Sequence, residues 1–201
     1  MSIATYSDLQ QSVINWLNRS DLSAFVTDFI RLAEDALTAD LTARQMDATV
    51  SIPTVGGTAT VQLPSDLHQM RRFRIDVPYS QPLSYRTPEE LSADYSSDAV
   101  GQPIVYTVIG STAELAPTPD AVYSLELVYQ QRIPTLSDSS PTNWLLTDWP
   151  SAYLWASLLA AEPFLKNDER IATWQMLYQQ QIDRINASDW HVATSPRVRA
   201  R

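Results

Sequence analysis

NWLLTDWPSAYLWASLLAAEPFLK, Asn143 to Lys166, is the stretch on which the fold turns. From Ala152 to Ala161 every residue except Ser157 is apolar. A helix built from them is hydrophobic on all sides, so it has no face to leave in water and belongs at the centre of a packed body. The run is far shorter than the roughly 20 residues needed to cross a bilayer, and the chain has no longer one, which predicts a core helix and no membrane partner. Thr147 and Asp148 are available to cap its first turn, and Pro150 suits a first helical position. Pro163 removes a hydrogen bond and crowds the preceding turn, so the helix kinks or stops near Glu162. Asn167-Asp168-Glu169 then offers a second cap, followed by Ile171, Trp174, Leu177, Tyr178, Ile182 and Ile185 at helical spacing. Trp149 to Ala187 therefore reads as a helical hairpin.

The N-terminal end has the same character. Leu9, Val13, Trp16 and Leu17 share one face of a helix over Tyr6 to Asn18, with Ser7 or Asp8 as its cap. A second helix follows, with Leu22, Phe25, Val26, Phe29, Ile30, Ala33, Leu37 and Leu41 on its apolar side. Its other face carries Asp28, Arg31, Glu34, Asp35 and Asp40, read as solvated because carboxylates are rarely buried unpaired, or alternatively as an acidic lining or subunit contact.

At Asp47 the period changes from helical to alternating. Val50 and Ile52, then Ala59, Val61 and Leu63, flank Gly56-Gly57 in the pattern of a β-hairpin. Phe73, Ile75 and Val77 alternate with Arg72, Arg74 and Asp76, and Leu83 to Tyr85 reads as a short strand. Thr87-Pro88-Glu89-Glu90-Leu91 marks a brief helix with Thr as cap and Pro first. Ile104 to Ile109, Thr112 to Ala116 and Val122 to Tyr129 complete an antiparallel, β-rich insertion over Ala48 to Ile133. Pro134 to Thr142 is polar and breaker-rich, the composition of an exposed connection.

The fold expected is α+β: a four-helix bundle formed by N- and C-terminal helical hairpins, with an inserted antiparallel β-rich lobe. Its boundaries are 1–46 for the first hairpin, 47–134 for the lobe, 135–189 for the second hairpin and 190–201 for a tail. That tail concentrates Arg197, Arg199 and Arg201 at the end of an acidic chain, with Trp190 and Val192 as apolar anchors. It reads either as a disordered terminus or as an arm that orders on a partner.

Composition excludes much chemistry. The net charge is −9, which argues against a general nucleic-acid surface, since such binding depends on neutralising phosphates. There is no cysteine, hence no disulfide or thiolate site. The histidines, His68 and His191, lack partners at metal-ligand spacing, so neither a metal nor another cofactor is expected. No glycine-rich phosphate turn and no G-x-S-x-G elbow occurs. The opening MSIATYSDLQQSV lacks the basic and apolar blocks of a secretory signal. One helical hairpin is too few for a tetratricopeptide-type repeat array. Two carboxylates suffice for glycoside hydrolysis, and Glu34, Glu89, Glu90, Glu114 and Glu162 supply the residue type without a spacing that selects a pair.

Pro141 to Trp174, PTNWLLTDWPSAYLWASLLAAEPFLKNDERIATW, resembles the C-terminal helical pair of tailed-phage head-to-tail adaptor proteins, of the short-tailed-phage, portal-binding type. The likeness includes Asn-Trp-Leu-Leu-Thr, Tyr-Leu-Trp-Ala, Glu-Pro-Phe-Leu and Asn-Asp-Glu-Arg. Thr5 to Leu22 resembles the family's opening, and the middle matches in punctuation such as Leu63-Pro64-Ser65-Asp66 and Leu115-Ala116-Pro117.

The resemblance implies a non-enzymatic virion protein, made in the host cytoplasm, that forms a ring, usually dodecameric, beneath the portal and links the DNA-filled capsid to the tail. It implies the portal protein as a partner, with the tail residues Trp190, Val192, Arg197, Arg199 and Arg201 as the docking arm. Distal tail proteins, nozzle or fibres, would meet the β-rich lobe. DNA would pass through the ring without sequence-specific binding, and an acidic lining would let it slide. Trp144, Trp149, Tyr153 and Trp155 are the candidates for subunit contacts, although such aromatics equally fill cores. The alternatives are a tail-completion or stopper protein one layer below the adaptor, and a virion-associated peptidoglycan hydrolase.

Overall fold

The computed structural model describes residues 3–77, 81–96, 98–165 and 169–190, with the backbone alone at 189 and 190. Its elements are α1 (Tyr6–Leu17), α2 (Val26–Asp40), β1 (Asp47–Pro53), β2 (Thr60–Gln62), β3 (Leu67–Ile75), β4 (Ser84–Tyr85), α3 (Pro88–Asp94), β5 (Val105–Ile109), β6 (Thr112–Ala116), β7 (Ser124–Gln131), α4 (Trp144–Asp148), α5 (Pro150–Ala160) and α6 (Arg170–Trp190). The chain is α+β and divides into two compact units, residues 1–45 with 133–201 and residues 46–132.

In the helical unit α5 is the common neighbour, touching α1, α2, α4 and α6. Ala152, Tyr153, Leu154, Ala156, Ser157 and Leu158 are buried, as the apolar run requires, and Ser157 returns its hydroxyl to the Tyr153 carbonyl at 2.8 Å. That bond lets a polar residue sit in a dry core without an orphan donor. Pro163 stops α5 instead of kinking it: the helix ends at Ala160 and a single tight turn spans Glu162–Phe164. The second capping sequence at Asn167-Asp168 lies outside the described residues.

The caps depart from expectation at both ends. α1 is capped by Thr5, not by Ser7 or Asp8; Thr5 Oγ1 accepts the Asp8 N–H while Asp8 accepts the Thr5 N–H, a reciprocal box. At α5 the N-cap is Trp149, which supplies no side-chain cap. Thr147 and Asp148 belong to the separate turn α4, whose cap is Asn143, with Oδ1 accepting the Leu146 N–H at 2.8 Å. Thr147 donates its hydroxyl back to the Asn143 carbonyl at 2.9 Å, inside a helical turn where it cannot cap the next helix.

Residues 46–132 form two sheets face to face. One has the order β1-β7-β3 and the other β2-β6-β5-β4. Val61, Leu63, Phe73, Ile75, Leu83, Ala113, Leu115, Leu125, Leu127 and Tyr129 fill the space between them. Leu125, Leu127 and Tyr129 come from the alternating run of β7, the central strand of its sheet. Val77 is exposed because β3 ends at Ile75 and the alternation stops there.

Two expectations fail here. β1 and β2 do not form a hairpin: β1 pairs with β7 and β2 pairs with β6, in different sheets. Gly57, at φ 79°, makes the turn, but its N–H goes to the Pro119 carbonyl at 2.8 Å, so the turn moves the chain between layers. The lobe is also not wholly antiparallel, since β4 runs parallel to β5. The expected cap of α3 is present, with Thr87 and Glu90 in a reciprocal box and Pro88 in the first turn.

Candidate functional site

Glu34 was expected on the solvated face of α2 and is instead 4% exposed. Its spacing explains the correction: Ile30, Leu37 and Thr38, at i−4, i+3 and i+4, are all buried, so Glu34 lies on the border of the apolar stripe. The carboxylate is tolerated because donors meet it. Leu136 N–H donates to Oε1 at 2.7 Å and Tyr153 Oη donates to the same oxygen at 3.4 Å. Asn143 Nδ2 donates to Tyr153 Oη at 2.6 Å and to the Pro134 carbonyl at 2.7 Å. Burial pushes the Glu34 carboxyl up to about 7, partly opposed by the hydrogen bonds from Leu136 and Tyr153. Burial beside that carboxylate also raises the Tyr153 hydroxyl.

This cluster changes the reading of Pro134 to Thr142. The segment is not simply an exposed connection, because Leu136 is buried, Ile133 N–H bonds Thr38 Oγ1 at 3.4 Å, and the Pro141 carbonyl accepts the Tyr6 N–H at 2.7 Å. It is stapled to α1 and α2 directly, and to α5 through Asn143, which bonds both the Pro134 carbonyl and Tyr153. Beside it lies a cleft of about 310 Å3 lined by Tyr6, Gln10, Arg31, Glu34 and Asp138 among others. The cluster was invisible in sequence because Glu34 stands more than 100 residues from both Leu136 and Tyr153.

The four aromatic candidates separate. Tyr153 is fully buried and hydrogen-bonded inside the unit, so its side chain has no surface to offer another subunit. Trp144 and Trp149 are half-buried; the Trp144 indole N–H has no hydrogen-bond partner among the described residues, and Arg184 lies over the Trp149 ring at 5.7 Å. Trp155 meets Trp16 edge-on at 5.1 Å between ring centres. Trp16, expected on the inner face of α1, is 48% exposed, and Phe25 and Phe164, 5.4 Å apart, are similarly open. These exposed rings were missed as a group, since their positions at 16, 25 and 164 share no local period.

α6 continues through Trp190, so that residue is helical backbone and not the first residue of a tail. Near its C-terminal end Asn186 donates to the Asp40 carbonyl at 3.1 Å and accepts the Thr42 N–H at 3.0 Å. One turn pair earlier, Tyr178 Oη bonds Asp40 Oδ2 at 2.7 Å, and burial raises that hydroxyl. The helix from which the arginine-bearing segment departs is thus fixed to the end of α2. Val192, Arg197, Arg199 and Arg201 lie outside the described residues.

The carboxylates weighed for hydrolysis have other uses. Glu34 is held by Leu136 and Tyr153, and Glu90 closes the α3 capping box. Glu89 lies in the same first turn, where it favours the helix dipole. Glu114 is on β6, paired across to Thr60 and Thr107, and Glu162 opens the tight turn before Pro163. Among the described residues no helix is long and apolar enough to cross a membrane, and no cluster of three or more His, Asp or Glu has the geometry of a metal site.

No curated protein matches the chain. A family model described as SU10 adaptor protein matches residues 4–200, nearly the whole sequence. That span takes in both helical ends and the β unit together, with the capped α1 near one limit and the arginine-bearing segment at the other. A phage adaptor family is structural in kind, and its members are virion components. The chain belongs to the SU10 adaptor protein family.

Proposed function

We propose that this chain is a head-to-tail adaptor subunit that forms a ring, dodecameric when assembled, beneath the portal, and joins the DNA-filled capsid to the tail. The observation that carries the reading is the family match over residues 4–200. In this reading the helical unit acts as a four-helix bundle that supplies lateral contacts. Trp16, Trp149, Trp155, Phe25 and Phe164 are accessible apolar surface of the type that interfaces use. Trp144, half-buried like Trp149 and Trp155, belongs to the same set. Trp190, Val192, Arg197, Arg199 and Arg201 dock on the portal, the arginines pairing with acidic groups. The β unit faces distal tail components such as nozzle or fibre proteins. DNA passes without sequence-specific contact, in keeping with the net charge of −9.

The test is binding of the purified chain to the portal protein encoded by the same genome. Full-length chain is compared with a version truncated after Asp189, and complex mass is read by light scattering. A stoichiometric ring complex formed only by the full-length chain supports both the role and the arm. Binding by both retains the role and rejects the arm. Absence of binding by either at micromolar concentration rejects the portal-adaptor reading.

A further inference from the structure

Residues 133–142 cross the helical unit as a strap whose ends and middle are tied in different ways. At one end the Ile133 N–H donates to Thr38 Oγ1 at 3.4 Å, and at the other the Pro141 carbonyl accepts the Tyr6 N–H at 2.7 Å. Between them residues 137–140 close on themselves, Ser137 and Ser140 exchanging N–H to carbonyl bonds at 3.0 and 3.1 Å. Such a turn can move as one piece. Pro134, Thr135, Asp138 and Ser139 are exposed, and Leu136 alone in this stretch is buried. Its N–H bond to Glu34 Oε1 at 2.7 Å is, among the described residues, the one hydrogen bond from residues 135–140 to a helix.

Glu34 holds that middle on unusual terms. Leu136 N–H and Tyr153 Oη both donate to Oε1, which leaves Oε2 to carry a proton. Burial of the carboxyl outweighs those two hydrogen bonds and the attraction of Arg31, so the neutral acid is favoured while Leu136 is seated. The strap also walls the cleft of about 310 Å3 beside Glu34, since Thr135, Leu136, Ser137 and Asp138 contribute to its lining. Lifting them admits water to the carboxyl, and the ionised form loses its desolvation penalty.

We propose that residues 133–142 are a proton-controlled strap: protonated Glu34 keeps Leu136 seated, and loss of that proton favours a state in which the middle lifts while both ends stay tied. The device lies within the helical unit and needs no partner, so it stands apart from the adaptor reading. Linkage gives its direction. The seated state holds the carboxyl at about 7, and the lifted state returns it towards 4.5. Below 4.5 both states carry the proton and above 7 neither does. Between those limits only the seated state binds it, so each pH unit moves the balance up to about tenfold towards the lifted state. Tyr153 stays protonated throughout, because burial beside the carboxylate raises its hydroxyl. The other ionisable groups around the site are Arg31 and Asp35 on α2, Asp138 on the strap and Tyr6 on α1.

The experiment is native-state hydrogen exchange on the full chain, resolved amide by amide from pH 5 to 8. The protection factor of the Leu136 N–H, which is corrected for the intrinsic pH dependence of exchange, is expected to fall at least about tenfold across that range. Glu34→Gln keeps an oxygen for Leu136 and Tyr153 and leaves Arg31, Asp35, Asp138 and Tyr6 in place, so its Leu136 protection is expected to stay constant with pH. Low urea is expected to leave Leu136 exchange nearly unchanged while speeding that of Leu158 in buried α5, because lifting the strap exposes little surface. Leu136 protection that is constant with pH in the wild type, or that falls equally in Glu34→Gln, overturns the proton control. Leu136 and Leu158 exchanging together, with one urea dependence, overturns the strap, since residues 133–142 would then open only with the whole helical unit. The wild-type series decides the first and last of these outcomes whether or not the variant folds.

Discussion

Replacing Glu34 with Gln isolates the energetic effect of one buried carboxyl. In the folded chain this group is raised from 4.5 to about 7, so the folded state holds its proton more tightly than the unfolded state. The stability tied to that proton is complete below pH 4.5 and is lost as pH rises through 7. The full displacement corresponds to ~3 kcal/mol, and solvent reaching the carboxyl from the adjoining cleft reduces it to about 2 kcal/mol. Arg31 and Asp35 on α2 act on Glu34 in opposite directions, and Asp138 shares the cleft, so all three belong in the accounting. The amide introduced by Glu34→Gln keeps an oxygen for the Leu136 N–H and the Tyr153 hydroxyl but cannot ionise. All six tryptophans lie in residues 1–45 or 133–201, so their fluorescence reports the helical unit alone. Urea unfolding followed by that signal from pH 5 to 8.5 should show Glu34→Gln gaining about 2 kcal/mol on the wild type across the range. A difference that stays flat with pH would refute the reasoning, because it would mean that the carboxyl is not raised in the fold.

Two further outcomes follow from the packing. Leu158→Ala, at a fully buried site of α5, should cost ~2–5 kcal/mol in the same tryptophan-monitored unfolding; a loss below about 1 kcal/mol would contradict its central place. Glu126 sits between Arg72 at 2.6 Å and Arg74 at 2.9 Å, and hydrogen bonds from those guanidiniums, Arg74 foremost, lower its carboxyl below the ordinary value. The stability it contributes is present above pH 4.5 and is lost as pH falls, so Glu126→Gln should flatten the acid limb of the β unit's unfolding followed by circular dichroism.

Local chemistry made several elements readable from sequence. The all-apolar run of α5, the Thr87-Pro88 start of α3, the strand Thr112–Ala116 and the alternation of β7 each carry their signal within a few residues. Strand partners do not. Gly56-Gly57 signals a turn, but nothing local says that β1 will find β7 some 70 residues later instead of β2 next door. Glu34 was misread for a similar reason: its phase on α2 is borderline, and the donors that allow its burial come from Leu136 and Tyr153. The choice of Asn143 over Thr147 as a cap follows from α4 being a separate turn, which a continuous helical pattern conceals. The exposed aromatics of the helical unit and the strap over Glu34 are likewise products of the three-dimensional arrangement.

The pairing of Asp47 with Gln130 has a consequence for how this chain tolerates change. It brings the two ends of residues 46–132 together within one ladder rung, roughly 5 Å between backbone centres. To the helices, the whole insertion then closes the chain as a short loop does, and loop-closure entropy grows only slowly with length in any case. The insertion can lengthen, shorten or exchange its outer strands without stretching the helical framework, provided that the first and last strands stay side by side. Such an arrangement lets one framework be retained while the inserted sheets are rewritten, with the β1–β7 rung acting as the socket.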